Sequence, residues 1–290
     1  MRLRHYTFVD CATQGYLALT GLVILACHGD KLPGWPRLLA AHALAIGLIH
    51  ALIRSPAAQR GSGGLDFLRH FYPVLLFAGL YRETAALNHL FVAGFLDPWF
   101  IRLDARIFGL QPSVAFMAAL PFWPVSEFFY AAYFSYYVMI GGIGVALYLR
   151  NREQFFHYLS VVSFVFYACY LTYIVLPVVG PRSLDPPFPA AVEAGPFAHL
   201  MAWIYRIFEG PGAAFPSSHV AVAIATVYFS FRYLRPIRWA HLGAAILLCL
   251  ATVYCRYHYA VDVAGGALAA AVLIPSGNWL HFRFTQSSRA

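Results

Sequence analysis

The sequence predicts an all-α polytopic membrane protein with about eight transmembrane helices. Three observations predict it. Of the 290 residues, 61% are apolar and 11% charged, where soluble domains carry about 25% charged residues. The mean hydropathy is +0.64. The apolar residues also fall in runs of roughly 17–25, the length that crosses a bilayer, with short polar breaks between them. A water-soluble exterior could not be built from such a chain.

Taken in order, the runs lie near residues 7–27, 36–54, 67–88, 123–149, 156–178, 214–233, 238–256 and 258–278. The first follows Met1-Arg2-Leu3-Arg4 and is long enough to span, so it reads as an uncleaved helix and not as a leader. Gly61 to Gly64 makes a flexible turn before the third run. Between the third and fourth runs, Asp97 to Gly109 alternates charged with bulky apolar residues, which suits a helix lying in the interface near 97–120. Pro112, Pro121 and Pro124 punctuate the entry to the fourth run. The organisation expected is two N-terminal helices over 1–66, then a six-helix catalytic core over 67–290.

The net charge of +8 comes from basic residues in short loops. It reads as a topology signal and a headgroup contact, with no nucleic-acid partner implied. With eight spans, twelve Lys and Arg fall on the side of the termini and eight on the other. The positive-inside rule then predicts cytoplasmic termini. It puts the loops 179–213 and 256–258 on the periplasmic or extracellular face. The five cysteines have no metal-like spacing and read as small buried apolar residues.

Three segments share that face. Pro177 to Ser183 ends a span with two prolines and Arg182, whose planar fork suits a phosphate. Phe215-Pro216-Ser217-Ser218-His219 reads as a helix entry, with serine caps and amides open to an anion. In Arg256-Tyr257-His258-Tyr259-Ala260-Val261-Asp262, the histidine and the carboxylate are four apart. On a helix they would share one face, where a carboxylate fixes an imidazole tautomer and leaves the other nitrogen to attack. Each segment alone has a structural reading: an interfacial arginine, a capped helix, a His–Asp pair at a helix start. Their convergence on one face assembles a base or nucleophile, an acid and two cations, the parts that phosphoryl transfer requires.

These residues resemble the type 2 phosphatidic acid phosphatase superfamily of membrane enzymes, over roughly residues 67–278. Pro216-Ser217-Ser218-His219 and His258-x-x-x-Asp262 match two of its motifs. The sequence departs from the family pattern at four places. Val175 stands where the family has lysine, Ser183 where it has proline, Ser218 where it has glycine, and Thr252 where it has arginine. These departures look more like the branch that includes inositol phosphorylceramide synthase. So do Leu103-Asp104-x-x-Ile107-Phe108-Gly109-x-x-Pro112 and the aromatic run Glu127 to Tyr137. The resemblance implies His258 as nucleophile, Asp262 as its orienting carboxylate and His219 as the acid. It also implies that Arg182, Arg256 and the amides near Ser217 and Ser218 hold the phosphoryl oxygens. It implies no metal or other cofactor, a lipid phosphate or phospholipid as substrate, and in the transferase branch an alcohol acceptor. Two rival classes remain. A transporter or channel would place its polar residues along a pathway at the midplane. A metalloenzyme would use His219, His258 and Asp262 as ligands.

Overall fold

In a computed structural model of the protein, residues 5–59, 63–208 and 210–289 are described, with side chains as far as Ser287. Met1 to Arg4, Arg60, Gly61 and the side chain of Arg289 lie outside the described residues. The chain is all-α, with eleven α-helices among the described residues. They are α1 (Phe8–Cys27), α2 (Trp35–Arg54), α3 (Gly64–Leu87), α4 (Asp97–Phe108), α5 (Pro112–Ala119), α6 (Trp123–Arg150), α7 (Arg152–Val175), α8 (Pro196–Phe208), α9 (Ser218–Tyr233), α10 (Arg238–Tyr254) and α11 (Ala260–Arg289).

Each of the eight expected runs is a helix, but only six are long and apolar enough to cross a membrane: α1, α2, α6, α7, α10 and α11. α3 is diluted by Asp66, Arg69, Arg82 and Glu83. α9 has 16 residues, about 24 Å at 1.5 Å per residue, against a hydrocarbon core of about 30 Å. The chain enters it from a largely buried loop, with Ala213, Ala214, Pro216 and Ser217 all buried. The segment near 97–120 forms two helices. Gly109, with φ of 74°, ends α4 in the left-handed conformation that glycine adopts freely, and Pro112 starts α5 where no amide is required. At 12 and 8 residues, neither reaches across a bilayer. α8 lies within the segment expected to be loop.

α7 is the central helix, apolar and aromatic on every side, and it packs against α1, α3, α6, α9 and α11. That all-round burial is what a helix without a polar face requires. α1 is tied to this core by polar bonds as well as packing. Asp10 accepts both guanidinium nitrogens of Arg69 and the hydroxyl of Tyr72, all buried, and Thr13 meets the Tyr167 hydroxyl at 2.9 Å. Removing one partner of such a buried pair costs about 3–5 kcal/mol. α2 has fewer buried positions and packs mainly on α1. Phe8, at the start of α1, touches His281 and Phe284. Both ends of the described chain therefore lie at the far end of α11 from Asp262.

Candidate active site

The site is built by three loops drawn together at one end of the bundle. Val178 pairs with Ala213 in a short parallel bridge, through Val178 N–H to Gly212 O at 3.2 Å and Ala214 N–H to Val178 O at 2.8 Å. The loop that leaves α7 is thus fastened to the loop that enters α9. Gly180, with φ of 100°, lies against the backbone of Tyr257, where a Cβ would come within 2.6 Å of the Tyr257 carbonyl. Gly266 allows the same closeness between α11 and the Ser217 carbonyl, 2.5 Å from the position of a Cβ.

α4 holds these loops from below through two acids seven residues apart, on one face of the helix. Asp97 accepts the amides of Val179 and Gly180, each at 2.9 Å, and the Tyr259 hydroxyl at 3.0 Å. Burial and the Asp97 carboxylate both push the Tyr259 phenol up, so it remains a proton donor. Asp104, fully buried, accepts the first amides of α11, Ala260 at 3.1 Å and Val261 at 3.0 Å.

Against the sequence expectation, His258 is not on a helix. It lies in the turn before α11, whose first residue is Ala260. Asp262 still reaches it, because its Oδ2 turns back to accept the Tyr259 amide at 2.8 Å, as a carboxylate in a helix's first turn does. That leaves Oδ2 3.5 Å from Nδ1 of His258, an ion-pair distance outside hydrogen-bond geometry. The other oxygen, Oδ1, is buried without a hydrogen-bond partner among the described residues. Nε2 of His258 faces Nδ1 of His219 at 3.4 Å, and Nε2 of His219 meets the Tyr133 hydroxyl at 2.9 Å. The two histidines, Asp262 and Tyr133 therefore form one buried chain.

The four expected phosphate-holding residues are placed otherwise engaged. Ser217 caps α9, its hydroxyl accepting the Val220 amide at 3.3 Å, with Pro216 just outside the helix and not in its first turn. The Ser217 amide donates to Asp262 O at 3.1 Å and the Ser218 amide to the Tyr173 hydroxyl at 3.1 Å. Arg182 is stacked among Tyr257, Phe188 and Tyr205, with its guanidinium carbon 4.7, 4.8 and 5.3 Å from the ring centres. It also donates to Cys255 O at 3.3 Å. Arg256, with φ of 54°, donates to Leu184 O at 3.1 Å and Pro186 O at 2.7 Å. Burial and the nearby Arg182 lower its pKa. Thr252, where the family has arginine, is buried. Its carbonyl accepts the amides of Tyr257 and His258, each at 3.0 Å.

An apolar cavity of about 450 Å³ between α3, α6, α7, α8 and α9 ends at Ser218 and His219. Its walls include Phe77, Tyr136, Tyr137, Phe166, Trp203 and Phe208. On the other side of His219 is a small polar pocket of about 20 Å³, lined by Tyr133, Tyr205, Tyr257 and His258. His219 is thus the partition between an apolar space and the space in front of His258.

Residues 98–275, more than half of the chain, match the PAP2 superfamily. The chain belongs to this superfamily. The PAP2 match runs from α4 into α11 and takes in all three motif segments, while α1–α3 precede it. No curated protein and no solved structure matches the chain. PAP2 membership, with six helices apolar enough to cross a membrane, makes this an integral membrane protein and supports a phosphatase-type enzyme acting on lipid phosphates. Sequence reading did not assign roles to Tyr173, Tyr257 or Asp97. For Asp97 and Asp104 a signal existed, two acids on one face of a short helix.

Proposed function

We propose that the protein cleaves or transfers phosphate esters of lipids through a phosphohistidine on His258. Nε2 of His258 attacks phosphorus, and the bond from phosphorus to the lipid oxygen breaks. His219 gives its proton to the departing oxygen, and Asp262 offsets the positive charge developing on the imidazole. Water or an alcohol then attacks the phosphohistidine, giving a proton back to His219 and freeing His258. One observation carries this reading: Nε2 of His258 and Nδ1 of His219 face each other at 3.4 Å, with a carboxylate behind His258 and an apolar cavity behind His219. In that order a lipid occupies the cavity, and its ester oxygen passes His219 before phosphorus meets His258.

Arg182 and Arg256 supply positive charge to the phosphoryl oxygens. The Ser217 and Ser218 amides reach those oxygens only by leaving Asp262 O and the Tyr173 hydroxyl, so they act after a rearrangement on binding. The resemblance to the inositol phosphorylceramide synthase branch favours an alcohol as the second attacker, and hydrolysis shares the first half-reaction. The site is assigned to the periplasmic or extracellular face, with both termini cytoplasmic.

Purified protein mixed with a lipid carrying labelled phosphate should form an acid-labile, base-stable phosphoprotein. His258→Ala should form none, and chelators should leave the yield unchanged. Adding candidate alcohols should divert label from free phosphate to a new ester if transfer is the reaction. A protein that binds the lipid but never releases or retains phosphate would support the transporter reading instead. For the face, Ala194→Cys should react with an impermeant thiol reagent on intact cells and Ser287→Cys should not. The opposite pattern would reverse the assignment.

A further inference from the structure

We infer that Tyr133 is a positioning residue that accepts from Nε2–H of the His219 imidazolium and so holds its Nδ1–H toward the departing oxygen. The inference rests on the reading of His219 as the acid. Tyr133 is fully buried on α6, and its hydroxyl lies 2.9 Å from Nε2 of His219. Tyr136, one turn on, packs its ring 4.4 Å from the same imidazole. The Tyr133 ring is itself held in place. It stacks on Tyr257 at 4.3 Å and 20°, and the Arg182 guanidinium carbon lies 4.7 Å from the centre of the Tyr257 ring. The imidazole is therefore held in orientation by two rings on one helix face, and one of its nitrogens is committed to a phenol.

The chemistry of that commitment sets where the acid's proton points. An imidazole that gives a proton to an alkoxide and ends neutral starts as an imidazolium, with hydrogen on both nitrogens. The Tyr133 oxygen then accepts from Nε2–H, and Nδ1, the nitrogen that faces Nε2 of His258, carries its proton toward the space where the ester oxygen departs. His258 turns its Nε2 lone pair to phosphorus once the two rings have parted. Without the hydroxyl, Nε2–H of the buried imidazolium loses this acceptor, the charged form is disfavoured, and the acid is lost from a fraction of molecules.

Leaving-group dependence tests this. Tyr133→Phe keeps the ring and removes one hydrogen bond. It should lower kcat on an alkyl phosphate lipid roughly tenfold or more and leave an aryl phosphate, whose oxygen departs without a proton, within about twofold. In a His219→Ala background the same substitution should have no further effect on kcat, because the imidazolium it holds is gone. Equal loss on both substrates, or an additive loss in the double variant, would reduce Tyr133 to a packing residue and overturn the inference. A ring-fluorinated tyrosine at 133 keeps the packing whatever the stability of the phenylalanine variant. It should change the pH–rate profile for the alkyl substrate and not for the aryl one, and an unchanged alkyl profile would overturn the inference. His258→Ala separates the underlying reading. If it still turns over the aryl ester, the histidine roles are wrong. If it is dead while Tyr133→Phe is indifferent to leaving group, only the role of Tyr133 is wrong.

Discussion

A separation of 3.4 Å between the facing nitrogens of His219 and His258 leaves no room for a phosphoryl group. Attack begins with nitrogen and phosphorus about 3–3.5 Å apart, and the departing oxygen must still lie about 2.8 Å from its acid. The two imidazoles must part on binding, which agrees with the small volume of the pocket before His258. On this account the two histidines differ sharply as variants. His258→Ala should abolish turnover of every ester. His219→Ala should fall by about 10²–10⁴ on alkyl phosphates, the usual contribution of a positioned acid, and retain much of its rate on an aryl phosphate. An active His258→Ala beside a His219→Ala dead on all substrates would show the roles exchanged. The residues of this contrast were legible because His and Asp are rare in apolar runs and carry their chemistry in their spacing. The tyrosines were not. Among 19 Tyr and 25 Phe, nothing local sets Tyr173 apart or gives Tyr133 its bond to His219, and their partners are 45 and 86 residues away. The same distance explains the Ser217 and Ser218 amides, open to an anion by local rules and closed by contacts that local rules do not contain.

At the scale of elements, the short helix α4 positions more of the site than any span does. Asp97 fixes the loop after α7, and Asp104 fixes the start of α11, two residues after His258 and inside the turn that holds Asp262. Hydrogen bonds to a charged acceptor contribute about 1.5–3 kcal/mol each, and two of them converge on the α11 amides. Asp104→Ala should therefore cut kcat at least tenfold while the helical content, by circular dichroism, is retained, because the loss falls on the angle of one helix end. Asp104→Asn, which keeps one acceptor oxygen, should lie between. Wild-type kcat in Asp104→Ala would show that α11 is set by packing alone. Apolar run length gave the place of α4 among the elements, and the alternation of charge gave its amphipathic character. The turn at Gly109 that splits it from α5, and α8 in the following loop, were hidden because a helix of 8 or 13 residues leaves a weaker signal than a span. α3 and α9 occupy the places expected of spans, but run length registers apolarity alone and gives neither the buried partners of the charges on α3 nor the buried entry of α9.

Across the whole molecule, the arrangement of helices leaves an apolar space that ends at His219, the space the proposed function gives to the lipid. The cavity draws on α3, α6, α7, α8 and α9 at once, so no one segment announces it. Trp203 and Phe208 of α8 are half-exposed beside it, an apolar margin through which the proposed route would admit a lipid chain. Gly141 on α6 tests the route cleanly. It lines the cavity, and a Cβ placed there would meet nothing within 4 Å. Gly141→Leu should therefore fill space the substrate uses without straining the helix, and replacing glycine within a helix is itself favourable by roughly 0.5–1 kcal/mol. Thermal stability should hold or rise. KM for a long-chain lipid phosphate should increase several-fold, since each methylene denied burial forfeits about 0.8 kcal/mol, while kcat/KM for a water-soluble aryl phosphate should stay near wild type. If the soluble ester suffers as much as the lipid, the cavity is not where the chains go, and the lipid must reach His219 from the side of the polar pocket.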